Sequence, residues 1–284
     1  MSRVFISQND ENTIEILACK HKSIKIDEIF LEKDRITNNE PDLEIIEIRP
    51  SVKTQEENKF YEKNKEISLD SLKEVENIWN DERHEEIWEN STLLYKDIKC
   101  LQPGGFINDE IVNSYLKLLP LPKNVHIFNS FFYEFISEML SSCNWNIKKL
   151  TRILRKQGIS NIFSKKYLIF PINLNKSHWV AAQINNKEKC IEYYDSFGEN
   201  SFERVCETIN ESVIRLGCEE IDYYEYKAMK VPRQSTCWDC GIFMMQTIRC
   251  LIENREFDFE QEKIDFIRKI TVLELKNQTL YRLN

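Results

Sequence analysis

The sequence predicts an α+β fold, because strand-like and helix-like patterns alternate along it and two predicted strands form a hairpin. Residues 167–170 are a short apolar run typical of a buried strand, and Pro171 marks its end or an edge position. Residues 179–184 and 190–195 follow as two further strands, and the polar residues 185–187 between them favour a tight turn. We therefore expect a mostly antiparallel central sheet flanked by helices.

Helices are predicted where apolar residues recur every three or four positions. One apolar stripe runs through residues 111–119, after the turn at Pro103-Gly104-Gly105. Asn108 or Asp109 is placed to cap this helix, and Pro120 is placed to end it. The other predicted elements are helical segments at 69–79, 128–137, 147–157, 202–216 and 267–275, a helix that begins near Cys240, and a strand at 223–226.

The charge distribution divides the chain near residue 80. Residues 1–80 hold 12 basic and 18 acidic side chains, whereas residues 81–284 hold 27 and 29. We expect an acidic, weakly structured N-terminal extension over residues 1–80 and a compact domain over residues 81–284. The net charge of −8 gives no basic face, so no nucleic-acid partner is expected.

Nine cysteines are the unusual feature of the composition. No apolar run is long enough to span a bilayer, and the N-terminus turns polar too early for a secretory signal. An odd cysteine count without such a signal does not indicate a disulfide framework. We expect an intracellular protein whose cysteines are free thiols, metal ligands or a nucleophile.

Three residues far apart in the sequence are suited to nucleophilic catalysis. His178 precedes one strand of the hairpin and Asp195 ends the other, so both lie at its open end. There the carboxylate can hold the imidazole and fix its tautomer. Cys240 begins a predicted helix, whose unpaired N–H groups stabilise a thiolate. The pattern predicts a nucleophilic thiol with a histidine base.

Two neighbours of the cysteine suit the same chemistry. Gln234, six residues upstream, is placed to donate its side-chain amide to an oxyanion, with the N–H of Cys240 as the second donor. Gly241 would let the backbone pass close to a substrate carbonyl.

The spacing Cys237-x-x-Cys240 leaves two other interpretations open. A zinc site needs further ligands, and Cys218 and Cys250 are available, but no second Cys-x-x-Cys occurs. A redox pair needs a thioredoxin-like βαβ context, which the predicted elements lack. We expect no metal and no other cofactor.

The segments around these residues resemble the ubiquitin-like-protein-specific cysteine proteases, the SUMO (sentrin-specific) protease family. The matching segments are Phe106-Ile107-Asn108-Asp109, Phe128-Asn129-Ser130-Phe131-Phe132-Tyr133, Leu174…His178-Trp179, Tyr194-Asp195-Ser196, Pro232-Arg233-Gln234…Asp239-Cys240-Gly241 and Ile267-Arg268-Lys269…Leu275. The chain order His, Asp, Cys also matches that family and differs from papain. The resemblance covers roughly residues 90–280 and implies a papain-like cysteine protease fold.

The resemblance implies a role for each of four residues. His178 would be the general base, Asp195 its orienting partner, Cys240 the nucleophile and Gln234 an oxyanion donor. An acetyltransferase with a similar Cys-His-acid core fits the residues around Trp179 and Gln234 less well.

The resemblance also implies substrate contacts. Trp179 matches the tryptophan that covers a narrow tunnel for a Gly-Gly tail, and Phe106 stands at the other wall, where the family usually has Trp. Asp109 matches an acidic residue that pairs with a basic group on SUMO. Its other interpretation is that of a helix N-cap, and the two roles are compatible.

The implied function is hydrolysis after the C-terminal Gly-Gly of SUMO or a related ubiquitin-like protein, from precursors or from conjugates. The alternatives are a protease for ubiquitin or another modifier, and a non-catalytic module that binds a modifier. The partners would be the modifier and its conjugates. A nuclear or nuclear-envelope location is expected over a cytoplasmic one, and nothing predicts the oligomeric state.

Overall fold

The computed structural model describes residues 5–8, 14–17, 67–89, 91–198, 201–216 and 224–281. The chain divides into two units, residues 1–47 and residues 48–284. In the first unit, β1 (Phe5–Gln8) pairs antiparallel with β2 (Ile14–Leu17). The N-terminal extension, residues 1–80, is predicted to be weakly structured. Apart from these two strands, its residues up to 66 lie outside the described residues.

A five-stranded sheet in the order β3-β4-β5-β6-β7 forms the centre of the second unit. Its strands are β3 (Val125–Ile127), β4 (Tyr167–Leu174), β5 (His178–Asn185), β6 (Cys190–Tyr194) and β7 (Glu225–Met229). The three central strands pair antiparallel, which confirms the predicted strands and hairpin. The edge strands β3 and β7 run parallel to their neighbours, so the complete sheet is mixed.

Strand β4 continues through Pro171 to Leu174. The neighbouring strand β3 pairs with β4 only as far as Ile169. Pro171 therefore lies where one side of β4 has no strand partner, and a residue without an N–H is tolerated there. Of the two predicted interpretations of Pro171, the edge position is the correct one.

The helices of the described residues surround this sheet. They are α1 (Leu69–Trp79), α2 (Tyr95–Lys99), α3 (Asp109–Leu116), α4 (Phe131–Ser141), α5 (Ile147–Lys156), α6 (Phe202–Arg215), α7 (Cys240–Glu253) and α8 (Ile264–Asn277). None of them is long and apolar enough to cross a bilayer.

Apolar side chains are buried on both faces of the sheet, because neighbouring residues of a strand point to opposite sides. Ile169 and Ala181 pack in one core with α1, α2, α3, α7 and α8. Leu168 and Val180 pack in a second core with α4, α5 and α6. A sheet between two helical layers confirms the predicted α+β class.

Two helix starts position the residues of interest. The side chain of Asn108 accepts a hydrogen bond from the N–H of Ile111, so Asn108 caps α3. The alternative expectation, that Asp109 is the N-cap, is wrong, because Asp109 is the first residue inside the helix. Helix α7 begins at Cys240, as predicted, and Asp239 occupies the position before it.

Helix α1 packs against the closing helix α8. Val75, Ile78 and Trp79 are buried in the first core. On the surface, Lys269 and Lys276 of α8 form ion pairs with glutamates of α1. Helix α1, which precedes residue 80, therefore shares a core with the helices that follow it.

Candidate active site

The open end of the β5–β6 hairpin brings a histidine and an aspartate together. His178 is the first residue of β5, and Asp195 directly follows β6. The ring atom Nε2 of His178 lies 2.8 Å from Oδ1 of Asp195. Only 16% of the histidine side chain and 4% of the aspartate side chain are exposed, so solvent screens this contact little.

The carboxylate of Asp195 receives several further hydrogen bonds. The N–H groups of Phe197 and Gly198 donate to Oδ1 over 2.8 and 3.2 Å, and the hydroxyl of Tyr193 donates to Oδ2 over 3.0 Å. Burial by itself raises the pKa of this carboxyl. The hydrogen bonds from His178 and from the Phe197 N–H outweigh burial, so the pKa of Asp195 lies below its ordinary value. Asp195 is therefore a charged, fixed acceptor.

Cys240 completes the group. It is the first residue of α7, is only 2% exposed, and lies close enough to His178 to raise the pKa of its imidazole. Because Nε2 of the imidazole faces Asp195, Nδ1 is the ring nitrogen left for the thiol. The cysteine therefore lies at a helix N-terminus and next to a base, which is the setting of a nucleophilic cysteine.

The charge of His178 follows from its two partners. Burial lowers the pKa of the imidazole, but the hydrogen bonds and charges of Asp195 and Cys240 outweigh it and raise the pKa from 6.5 to about 9. A histidine with this pKa is protonated at neutral pH. It can stabilise a neighbouring thiolate and can later give its proton to a leaving group.

Gln234 lies close to the end of β6. Its amide Nε2 donates to the carbonyl of Thr236 over 2.6 Å, and its Oε1 accepts from the hydroxyl of Ser196 over 2.6 Å. A backbone carbonyl can only accept, so the atom that faces Thr236 must be the nitrogen. The amide is held in one orientation and has one further N–H to donate.

Trp179 and Phe106 lie on connected segments. The indole N–H of Trp179, which is 4% exposed, donates to the carbonyl of Ile107 over 2.8 Å. Phe106, the residue before Ile107, is 62% exposed. The hydrogen bond therefore holds the buried tryptophan next to the segment that carries the exposed phenylalanine.

Asp109 lies at the start of α3 and is partly buried. Its Oδ1 accepts a 2.6 Å hydrogen bond from the hydroxyl of Ser130, and the N–H of Ser130 donates to the side chain of Asn113. One carboxylate oxygen of Asp109 is thus engaged within the protein.

Cys237 and Cys240, the two residues considered as a zinc or redox pair, are not joined by a disulfide. Cys237 and Cys240 are both free, and Cys237 is exposed whereas Cys240 is buried. Within the part of the chain that the structure describes, no three His, Cys, Asp or Glu side chains gather in a way that could hold a metal ion. Cys250 is free and buried, and Cys218 lies outside the described residues.

Sequence reasoning missed two contacts near the cysteine. The ring of Phe197 meets the ring of His178 edge-on, with centroids 6.0 Å apart. Asp239 and the fully buried Arg268 form an ion pair with an N–O distance of 2.7 Å. A signal for the second existed, since Arg268 falls on the apolar stripe of the last helix, where a charged residue needs a buried partner.

Comparison with known proteins identifies the family. Residues 105–283 match the C-terminal catalytic domain of the Ulp1 protease family, and the chain belongs to this family. Sentrin-specific protease 2 of Homo sapiens is 27% identical over 234 residues, which cover 76% of this chain and 38% of that protein. The putative ubiquitin-like-specific protease 1B of Arabidopsis thaliana is 26% identical over 206 residues, which cover 66% of this chain and 58% of that protein. The chain thus spans less than two thirds of the length of these relatives.

Solved structures share the fold. The SUMO protease Ulp1 with its catalytic cysteine oxidised to a sulfonic acid matches with a TM-score of 0.64 at 22% identity, over 74% of this chain and 95% of that one. The C-terminal Ulp1 protease domain in complex with Smt3, the yeast ortholog of SUMO, matches with a TM-score of 0.63 at 22% identity, over 74% and 96%. These matches confirm the predicted papain-like α+β fold.

Proposed function

We propose that this chain is a thiol protease that cleaves after the C-terminal Gly-Gly of SUMO or a related ubiquitin-like protein. The observation that carries the proposal is that the partly buried side chain of His178 pairs with Asp195 and lies close enough to Cys240 for the cysteine to raise the pKa of its imidazole. Membership of the Ulp1 protease family supports the reaction class. The names of the relatives, sentrin-specific and ubiquitin-like-specific proteases, support the substrate class.

In the proposed reaction the thiolate of Cys240 attacks the carbonyl carbon of the terminal glycine. The C=O electron pair moves to the oxygen, and this oxyanion is stabilised by the N–H of Cys240 and the free amide N–H of Gln234. The C–N bond then breaks while the imidazolium of His178 gives its proton to the leaving amine. That amine belongs to a target lysine or to a propeptide.

The thioester left on Cys240 is then hydrolysed. His178, now neutral, takes a proton from a water molecule as that water attacks the thioester carbonyl. The C–S bond breaks, and the modifier leaves with a free carboxylate. Asp195 keeps the imidazole in one orientation through both steps and stabilises its charged form.

The same proposal assigns the substrate contacts. Trp179 and Phe106 would form the two walls of a tunnel for the Gly-Gly tail (the Gly-Gly tunnel), which excludes tails with larger side chains. Asp109 would pair with a basic group on the body of the modifier. The tunnel selects the tail, and Asp109 contributes to selecting the modifier.

A panel of reactive modifiers tests the proposal. SUMO, ubiquitin and other ubiquitin-like proteins, each with an electrophile at its C-terminus, are incubated with the wild type and with Cys240→Ala. We expect a mass shift with SUMO or a close relative, which Cys240→Ala abolishes. Cys237→Ala is the matched control, because it removes an exposed thiol three residues away and should keep the adduct.

The outcomes separate the alternatives. An adduct with ubiquitin alone would make the chain a protease for that modifier. Modifier binding with no adduct would indicate the non-catalytic binding module. An adduct that persists in Cys240→Ala would contradict the assigned nucleophile. With a natural precursor, Cys240→Ser should abolish cleavage and leave substrate binding largely intact.

An intracellular and nuclear location belongs to the same proposal. The described cysteines are all free, which suits a reducing compartment. The nuclear part follows from the resemblance to SUMO proteases alone, and imaging of a fluorescent fusion of the full chain tests it.

A further inference from the structure

The side chain of Arg268 is buried beside the loop of residues 230–239, which leads from β7 into Cys240 (the nucleophile loop). It is 0% exposed, and its Nε and Nη2 atoms both donate to Oδ1 of Asp239, over 3.0 and 2.7 Å. Asp239 is 2% exposed and directly precedes Cys240. Its other oxygen, Oδ2, accepts from the hydroxyl of Thr236 over 2.5 Å and from the amide of Gln261 over 2.8 Å.

The guanidinium of Arg268 also binds the backbone of two separate loops. Its other acceptors are the carbonyl oxygens of Cys100, Gln102, Gly105 and Trp238, at 3.3, 3.0, 2.9 and 3.0 Å. The first three belong to the loop that leads into Phe106. The fourth belongs to the loop that leads into Cys240. One rigid, planar group therefore joins the two loops.

The two loops that Arg268 joins lead to two parts of the proposed active site. Past Gly105 come Phe106 and Ile107, and the carbonyl of Ile107 accepts the indole hydrogen bond of Trp179. Past Asp239 comes the sulfur of Cys240. The contacts of Arg268 therefore connect the segment that carries Phe106 with the loop that leads into Cys240.

A contribution to stability alone explains this pair poorly. Removing two charges from water is unfavourable, and a buried ion pair is often no better for stability than apolar residues of similar size. Fixed geometry is what the pair does provide, because the five N–H groups of the guanidinium all meet acceptors.

We propose that Arg268, acting through Asp239, is a positioning residue that places Cys240 relative to His178 and the Gly-Gly tunnel. It does so without touching the substrate. The inference rests on the proposed role of Cys240 as nucleophile. Because misplacement by about 1 Å can cost roughly 100-fold in rate, small shifts of this loop should be visible in catalysis.

The chain offers a matched control in a second buried arginine. Arg249 of α7 is 1% exposed and forms ion pairs with Glu274 and Glu253, at 2.8 and 3.0 Å. Its other described partners are Tyr115 and Tyr281, which belong to neither of the two loops. Arg249→Lys should disturb the core as much as Arg268→Lys and leave the nucleophile loop in place.

The experiment compares the two lysine variants in the full chain. Melting temperature is measured first, then kcat and KM on a modifier precursor. The rate at which iodoacetamide alkylates Cys240 is measured by mass spectrometry of its peptide. We expect both variants to lose thermal stability. Only Arg268→Lys should lower kcat, roughly 10- to 100-fold and more than it changes KM, and slow the alkylation of Cys240.

Two results would overturn the proposal: wild-type kcat and alkylation in Arg268→Lys, or equal losses of both rates in the two variants. If Arg268→Lys does not fold, Asp239→Asn replaces it, since it keeps the shape of the side chain and weakens the same pair. The alkylation rate needs no modifier, so it tests the positioning role even if the proposed substrate is wrong. A wrong nucleophile would show separately, as activity retained by Cys240→Ala.

Discussion

Gly241 lies so close to Ile107 that a Cβ atom on the glycine would stand 2.5 Å from Cβ and 2.9 Å from Cγ1 of the isoleucine. The sequence interpretation assigned the small size of Gly241 to room for a substrate carbonyl, but the closest neighbour is a side chain of the protein itself. Helix α7 therefore packs directly on the segment that carries Phe106. The glycine allows helix α7 and the segment that carries Phe106, the proposed wall of the Gly-Gly tunnel, to come together.

Gly241→Ala should push these two segments apart. We expect a loss of about 1–3 kcal/mol of unfolding free energy from overpacking, and a lower kcat/KM on a modifier precursor. Gly158→Ala is the control, because Gly158 has φ +79° but no atom lies within 4 Å of where its Cβ would stand, so it brings backbone strain without a clash. Both variants should unfold at lower temperature. Equal activity in the two would show that the contact with Ile107 does not affect the site.

The raised pKa of His178 predicts an alkaline limit to activity. With a pKa of about 9, the imidazolium needed to protonate the leaving amine is lost as the pH rises through that value. Asp195 stabilises the imidazolium and so helps to raise the pKa of His178. Asp195→Asn should therefore move the alkaline limb of the kcat/KM profile to lower pH and reduce its maximum. A limb at the same pH in wild type and variant would exclude His178 as the titrating group.

The same shift predicts how stability depends on pH. A group whose pKa is raised on folding stabilises the folded state most below its unfolded pKa, here 6.5, and this contribution is lost as the pH rises to about 9. Melting temperatures of the wild type should therefore fall across this window more steeply than those of Asp195→Asn. Parallel curves would contradict the assignment.

Asp109 should matter for the body of the modifier and not for its tail. Asp109→Asn removes the charge but keeps an oxygen that can accept from Ser130, so the start of α3 should stay intact. We expect a lower kcat/KM for a SUMO precursor and an unchanged value for a short Gly-Gly reporter. Ser130→Ala removes the hydrogen bond but keeps the charge, and should leave both values near wild type. Equal losses on the two substrates would leave Asp109 with a structural role only.

Phe106 should contribute to tail binding with little effect on stability. Its ring is 62% exposed, so Phe106→Ala should change the unfolding free energy by no more than about 0.5 kcal/mol. Loss of one wall of the Gly-Gly tunnel should raise KM for both the precursor and the short reporter. Phe131→Ala is the control, since Phe131 is a 49% exposed phenylalanine at the start of α4. If the two variants behave alike, Phe106 is not a tunnel wall.

Local patterns were sufficient to predict the elements that carry the site. The bounds predicted for helix α1, residues 69–79, are those of the structure, in which the side chain of Ser68 caps the helix. The hairpin was predicted from two apolar strands and a polar turn, and its antiparallel pairing puts His178 and Asp195 at the same end. The start of α7 at Cys240 followed from the apolar spacing after it. Each of these features is encoded within one short stretch of the chain, and the longest is the hairpin from His178 to Asp195.

Features that depend on distant partners were either not predicted or predicted with different bounds. Strand β3 has three residues, too few to show a period, and it exists because β4 pairs with it from 42 positions along the chain. Strand β7 runs from Glu225 to Met229, and polar and apolar residues are mixed along it. The predicted strand, 223–226, therefore begins and ends too early. Its first position lies outside the described residues. The partner of Arg268 is 29 residues away, and no local pattern identifies it.

The packing of α1 on α8 has a practical consequence for expressing the catalytic part of the chain. A recombinant fragment that begins at residue 81 would lack Val75, Ile78 and Trp79, and would leave an apolar strip of α8 open to water. Such a fragment should aggregate or melt at a lower temperature than one that begins before Ser68. Helix α8 also carries Arg268, which binds Trp238 and Asp239 in the nucleophile loop. A truncation near residue 80, where the charge distribution changes, would therefore loosen the helix that contacts this loop.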